Sequence, residues 1–290
     1  MNIQKSFEQT EGAAIYIVPT PIGNLEDITF RALTTLKNVA IIGAEDTRLT
    51  KKLLNHFDIS TRLLSYHEHS EESRIEQLLQ YVRDGESIAI VSDAGMPVIS
   101  DPGHDLVKQA IAENLAVIPL PGANAALCAL VSSGLPAEEF LFYGFLPRKK
   151  KAKTEELERL ATMRATLIIY ESPHRLKQTI EQMKSVFGER QVSIARELTK
   201  RYEEHIRGTF SDVQKWLDTG TVKGEFVIVC EGCQAAESHE ELWWSHLSIV
   251  EHVDHYVTNE NIRSKEAIKR VASERQMSRR DIYQAYHVDA

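Results

Sequence analysis

The sequence predicts an α/β fold made of two successive α/β units and a small helical tail. Three observations predict it. Short runs rich in Ile and Val alternate with amphipathic segments along most of the chain. The runs are apolar throughout and do not alternate polar with apolar, as expected of strands covered by helices on both faces. Beyond Gly232 the composition changes to an acidic, His-rich stretch followed by two short basic helical patterns.

The first unit is predicted over residues 14–121. Its strands fall at 14–18, 39–44, 62–65, 87–91 and 116–120, and its helices at 28–36, 47–57, 71–83, 105–113 and 123–133. The second unit, 122–235, carries predicted strands near 140–144, 166–170, 191–195 and 225–230 and helices at 153–161, 174–187 and 211–218. Ser211 and Asp212 form a cap signal for the last of these. Residues 220–224 read as a turn, and residues 197–208 show no assignable period. In the tail, 240–290, Ser264 is placed to cap a helix over 265–273 and Ser278 one over 279–286. The pair resembles a helix-turn-helix, and a plain helical hairpin accounts for the spacing equally well.

The 290 residues, 42% hydrophobic and 26% charged, suit a soluble globular protein of two main domains. The polar first 14 residues lack the apolar core of a secretory signal, and no run reaches the length of a membrane span, so a cytoplasmic location is expected. Cys128, Cys230 and Cys233 are expected to be incidental thiols, because the lone C-x-x-C has no second pair to complete a zinc site. A net charge of −8 argues against holding nucleic acid by bulk charge. Two local basic clusters still make an anionic partner plausible: Arg148 to Lys151 with Lys153, and residues 263–280, where seven Lys and Arg face two Glu.

Three loops concentrate residues with special backbones. Ser92-Asp-Ala-Gly-Met-Pro-Val-Ile-Ser-Asp-Pro-Gly103 follows one predicted strand, Pro19-Thr-Pro-Ile-Gly-Asn-Leu25 another, and Pro119-Leu-Pro-Gly-Ala-Asn-Ala125 a third. All would lie at the carboxyl edge of a parallel sheet, where ligands of open α/β folds bind. Glycine allows close backbone approach and proline fixes loop shape. No G-x-G-x-x-G and no G-x-x-x-x-G-K-[ST] occurs, and the loops carry no Lys or Arg for a phosphate. A ligand with adenosine and amino-acid ends, held by backbone amides and a few carboxylates, suits them better.

Charged groups cluster at the corresponding positions. Glu45-Asp46-Thr47-Arg48, Glu171 with His174 and Arg175, and Arg196-Glu197 with Lys200 can each be ion pairs that secure loops or groups that serve a site. His67-Glu68-His69 offers two histidines on one strand face without a third ligand, so a polar strand end is the expectation and no metal is predicted. Tyr66, Tyr170 and Phe145 can stack on an exposed base or belong to the core.

Six ordered motifs carry a family resemblance: Val18-Pro-Thr-Pro-Ile-Gly-Asn-Leu25, Ala44-Glu-Asp-Thr-Arg48, the Ser92–Gly103 loop, Pro119-Leu-Pro-Gly-Ala-Asn124, Tyr170-Glu-Ser-Pro-His-Arg175 and Ala195-Arg-Glu-Leu-Thr-Lys200. In this order they resemble the tetrapyrrole methylase superfamily, and within it the branch acting on ribosomal RNA. The resemblance spans residues 14–232 and, more loosely, the helical tail. It implies two α/β domains with S-adenosylmethionine in the cleft between them, a homodimer, and 2′-O-methylation of a cytidine ribose in the decoding region of 16S ribosomal RNA. The partner implied is ribosomal RNA or the small ribosomal subunit.

By the same resemblance Asp93, Ala94, Gly95 and Pro97 meet the cofactor, Pro121, Gly122, Ala123 and Asn124 close its other side, and Pro21 and Gly23 line the nearby cleft. Met96 and Ala123-Asn124 depart from the family's pattern. Lys200, Glu171 and Asp46 are the candidates for activating the hydroxyl, and Arg48, Arg175 and Arg196 for binding RNA phosphates. Two other readings are a corrin or sirohaem precursor methyltransferase of the same fold and a non-catalytic RNA-binding assembly factor.

Overall fold

The computed structural model describes residues 3–5, 12–66, 72–220, 222–234, 244, 246–260, 262–275 and 277–287. The chain divides into two compact units, Met1–Cys233 and Gln234–Ala290.

The first unit contains two five-stranded sheets. In the first sheet, β1 (Ala14–Ile17), β2 (Ile41–Ala44), β3 (Arg62–Ser65), β4 (Ile88–Val91) and β5 (Ala116–Pro119) are all parallel, in the order β3-β2-β4-β1-β5. Every residue of β2 and β4 is buried, which is why these runs do not alternate. Helices α1 (Phe30–Asn38) and α2 (Thr47–His56) bury Leu36 and Leu54 on one face, and α3 (Glu72–Arg83) and α4 (His104–Ala112) bury Leu78 and Leu106 on the other. All five strands therefore open their carboxyl ends onto one edge.

The chain then runs through α5 (Ala125–Ser133), β6 (Phe140–Phe145), α6 (Lys150–Ala161), β7 (Thr166–Glu171), α7 (Pro173–Phe187), β8 (Gln191–Arg196), β9 (Glu204–Thr209), α8 (Phe210–Thr219) and β10 (Phe226–Cys230). The second sheet has the order β6-β7-β10-β8-β9, and only β6 and β7 pair in parallel. Strand β9 occupies the stretch without a sequence signal. It is an edge strand, Glu-His-Ile-Arg-Gly-Thr, with no fully buried residue, so nothing forces an apolar period on it. Its turn into α8 corrects one expectation. Thr209 caps α8 through a reciprocal box with Asp212, while the Ser211 hydroxyl donates to Glu189.

Among the described residues of the second unit, Gln234–Ala290, there are three helices where two are predicted: α9 (Ile249–Asn259), α10 (Ser264–Glu274) and α11 (Arg279–His287), closed around Val253, Tyr256, Ala267, Ile268, Val271 and Ile282. Ser248 and Glu251 form a capping box for α9. Ser278 accepts from the Asp281 N–H at 3.2 Å as expected. Ser264 does not cap α10, because Arg263 stands at the cap position and its side chain makes no cap bond.

Lys153 requires a further correction. It belongs to no surface cluster: only 2% of it is exposed, and its Nζ donates to Thr179 Oγ1 at 3.0 Å. The Thr179 hydroxyl in turn donates to Glu171 Oε2 at 2.7 Å. Burial, with the Arg175 charge nearby, pushes the Lys153 ammonium below its ordinary pKa, and Glu171 opposes that shift. Thr179→Val removes the hydroxyl that links the two charges, and urea unfolding should show a loss of about 1–3 kcal/mol. Adding Lys153→Met should restore part of that loss, because an apolar side chain needs no partner; no recovery in the double variant would contradict the network.

Candidate functional site

Three loops lock together at the carboxyl edge of the first sheet. Thr20 and Gly95 exchange two backbone hydrogen bonds, each 2.9 Å. The Thr20 hydroxyl donates to the Ser92 carbonyl at 3.1 Å, and the Ser92 hydroxyl to the Gly95 carbonyl at 3.3 Å. Gly95 has φ +85°, where a side chain is strained, and a Cβ there would come within 3.2 Å of Ile22 Cγ2. A Cβ on Gly122 would lie 2.7 Å from the Pro19 Cβ, so the loop after β5 closes against the loop after β1 only as glycine. Val98 and Ser100 hold φ of +76° and +62°, strained values for non-glycine residues that the surrounding loop must impose.

These loops wall a cavity of about 460 Å³, with the ends of β7, β8 and β10 on its other side. Among the described residues no Lys or Arg lines it, whereas Glu45, Asp93, Asp101, Glu171 and Glu225 do. The apolar walls come from Ile22, Met96, Ile99, Tyr170, Leu198 and Phe226. Asp93 is oriented by the Asp46 backbone N–H, which donates to its Oδ1 at 2.9 Å. Burial pushes the Asp101 carboxyl up to about 6, the Glu45 and Asp93 charges add to the rise, and the Ser92 hydroxyl moderates it. A cavity with apolar walls, carboxylates and glycine backbone, and no cation, fits a small adenosyl amino-acid ligand bearing positive charge.

Of the eight residues expected at the cofactor, Asp93, Ala94, Gly95 and Asn124 line the cavity. Asn124 also caps α5, its Oδ1 accepting from the Leu127 N–H at 3.0 Å. Pro97, Pro121, Gly122 and Ala123 are their chain neighbours and do not line it. Gly23 lies against the Lys200 stem, where a Cβ would be 2.4 Å from Cγ, and Pro21 precedes Ile22 outside the lining.

The three candidates for activating a hydroxyl stand in different settings. Asp46 caps α2 and grips Arg48 through two hydrogen bonds, 3.0 Å from Nε and 2.6 Å from Nη2, which hold its carboxyl far below the usual range. Glu171 is buried on the cavity wall, with Oε1 accepting from the Ser172 N–H at 2.8 Å and facing Arg175 Nε at 3.2 Å. Lys200 donates to Glu197 at 2.9 Å and to Glu225 at 2.6 Å. Burial disfavours its charge, but these two carboxylates outweigh that and raise its pKa.

The three arginines are each engaged. Arg48 pairs with Asp46 yet stays largely exposed, with 87% of its side chain accessible. Arg175 Nη2 donates to the Leu146 carbonyl at 2.7 Å, and Arg196 donates to the Lys223 carbonyl at 2.7 Å and Glu204 at 2.9 Å. His67-Glu68-His69 lies outside the described residues. Tyr66 is buried in the first sheet's core. Sequence reasoning missed Asp101 and Glu225. Asp101 had a signal, since it closes the same glycine- and proline-rich loop as Asp93.

Residues 14–214 match the family described as tetrapyrrole (corrin/porphyrin) methylases. The ribosomal RNA small subunit methyltransferase I of Halalkalibacterium halodurans is 55% identical over 288 residues, 99% of each chain. Its namesake from Bacillus subtilis is 50% identical over 287 residues, 98% of each chain. Among solved structures, cobalt precorrin-4 methyltransferase, a cobalamin biosynthetic enzyme, superposes with a TM-score of 0.57 at 16% identity, over 75% of this chain and 94% of that one. A uroporphyrin-III C-methyltransferase from Thermus thermophilus, complexed with S-adenyl homocysteine, superposes with a TM-score of 0.52 at 16% identity, over 75% of this chain and 97% of that one. The structural likenesses speak for the fold alone, and the sequence match over residues 14–214 settles membership: the chain belongs to the tetrapyrrole methylase family.

Proposed function

We propose that this chain methylates small-subunit ribosomal RNA with S-adenosylmethionine, at the 2′-hydroxyl of a cytidine ribose in the decoding region of 16S RNA. The observation that carries this reading is the 55% identity with a ribosomal RNA small subunit methyltransferase I across 99% of both chains. The corrin- and porphyrin-methylating neighbours, at 16% identity, share the fold and carry no argument for their substrates here. A ribosomal RNA substrate would place the activity in the cytoplasm. A homodimer is proposed on resemblance, and exposed Leu127 and Val131 on α5 are an apolar surface available to it.

Bound S-adenosylmethionine supplies an electrophilic methyl group on a positively charged sulfonium. Asp93, Ala94, Gly95 and Asn124 are the residues proposed to hold it, with Pro97, Pro121, Gly122 and Ala123 shaping their loops. Pro21 and Gly23 are assigned to the substrate side, with Arg48, Arg175 and Arg196. The carboxylates favour a cation, while the demethylated product has one positive charge fewer, so the cavity favours donor over product.

The raised Asp101 pKa sets the sign of a pH effect. Above about 6 Asp101 is ionised and attracts the donor cation; below it the charge is lost. Calorimetry should show donor affinity falling as pH drops from 8 to 5, with product affinity changing less and Asp101→Asn flattening the donor profile. Folding has the opposite sign. A carboxyl whose pKa is raised on folding opposes stability once pH exceeds its unfolded value near 4, so Asp101→Asn should raise the melting temperature at pH 8 but not at pH 3.

Lys200 does not line the cavity but is held as an ammonium by Glu225, which does, and it is proposed to stabilise negative charge developing on the ribose oxygen. Asp46 and Glu171 are proposed to orient Asp93 and the α7 turn. Lys200→Ala should lower turnover roughly 100- to 1,000-fold with donor affinity retained; parental turnover would refute its role.

The second unit adds a phosphate-binding surface in this reading. Arg270 is tied to Glu260 and Glu274, which leaves Lys265, Lys269, Arg279 and Arg280 to meet RNA. Replacing these four with Gln should reduce the salt dependence of RNA binding by about 0.7 in slope for each phosphate left unneutralised. An unchanged slope would assign them to solvation.

A further inference from the structure

A bulge in β6 aims an aromatic ring at the mouth of the cavity. Phe142 pairs with Ile168, but Gly144 pairs with Ile169 and Phe145 with Tyr170, so Tyr143 is an inserted residue. The insertion reverses the strand's alternation. Phe145, three positions beyond Phe142, therefore returns to the same face, and both rings meet Tyr170 edge-on, at 5.0 Å and 5.6 Å between centroids. Gly144 makes the bulge possible with φ +77°, and a Cβ there would come within 3.1 Å of Ser100 Oγ. Phe145 lines the cavity yet remains 57% exposed. An aromatic ring without a polar atom, in edge contact with Tyr170 and half open to solvent, is a surface prepared for a flat apolar partner.

Cations follow it directly. Arg148, Lys149, Lys150 and Lys151 are all exposed, and the side chains of the first three meet no carboxylate among the described residues. The intervening backbone is pinned, because Arg175 Nη2 holds the carbonyls of Leu146 and Pro147 at 2.7 and 3.4 Å while its Nε faces buried Glu171. An open aromatic ring beside a short cationic segment is the combination by which proteins hold single-stranded nucleic acid: the base stacks and the backbone phosphates meet the cations.

We propose that Phe145 is the platform on which the base of the target nucleotide stacks, with Arg148 to Lys151 taking the adjacent phosphates, so that the attached ribose faces the cavity. The inference rests on the RNA-methylating function for what enters the cavity, and requires the target nucleotide to be unstacked from its neighbours. It makes Phe145 a residue that positions substrate without acting on the donor.

The test measures binding of a fluorescein-labelled, cytidine-rich single-stranded RNA of about ten nucleotides by anisotropy, and S-adenosylmethionine binding by calorimetry. Phe145→Ala should raise the RNA Kd roughly five- to 100-fold with an unchanged salt slope, leave donor affinity and melting temperature as in the parent, and be rescued by Phe145→Trp. Replacing Arg148, Lys149 and Lys150 with Gln should instead reduce the salt slope. An RNA Kd unaffected by Phe145→Ala overturns the platform, as does an equal loss of donor affinity, which would assign the ring to the donor's adenine. If the parent fails to methylate small subunits but Phe145→Ala still weakens RNA binding, the methylation reading falls and with it the placement of a target ribose at the cavity, while base stacking on Phe145 stands.

Discussion

The site depends on the reciprocal backbone hydrogen bonds between Thr20 and Gly95, which join the loops after β1 and β4. Two amide bonds could not hold loops so rich in proline and strained residues by themselves. They act with the seating of Gly122 on Pro19 and of Gly23 on the Lys200 stem, where any Cβ would intrude. Rigidity here has an electrostatic purpose. Among the described residues five carboxyl groups and no Lys or Arg line the cavity, and such an arrangement repels itself unless the backbone holds it in place or a cation enters. Burial first, and repulsion from Glu45 and Asp93 after it, raise the pKa of Asp101.

The same economy governs the second sheet. Buried Lys153, Thr179 and Glu171 and half-buried Arg175 form a chain of polar groups from α6 to the cavity wall. Each charge has a partner, so burial is tolerable, and the chain ties the start of the cationic segment to the wall of the cavity. A polar network of this kind stabilises little compared with apolar packing of similar volume, but it specifies one geometry. The bulge at Tyr143 has a comparable role, giving up one ladder position in exchange for the direction of Phe145.

Much of this was legible in the sequence. The parallel strands declared themselves because full burial on both faces makes them uniformly apolar. The glycine and proline loops pointed to the carboxyl edge of the first sheet, where Asp93, Ala94, Gly95 and Asn124 line the cavity. What escaped had physical reasons. β9 is an edge strand with no buried residue, and α9 was hidden in an acidic, His-rich stretch although Ser248 and Glu251 form a capping box. Lys153 looked like one of a run of surface lysines, and only the three-dimensional position of Thr179 and Glu171 shows why it turns inward. Asp101, Glu225 and the β6 bulge depend on register and loop closure, which no local pattern encodes.

The central claim is that a carboxylate-lined cavity at the sheet edge delivers a methyl group to RNA. Mass spectrometry of 16S RNA from undermethylated small subunits, after incubation with this protein and S-adenosylmethionine, tests it most directly. The account predicts one added methyl on a cytidine ribose in the decoding region. RNA of unchanged mass, or a methyl carried by a base, would contradict it.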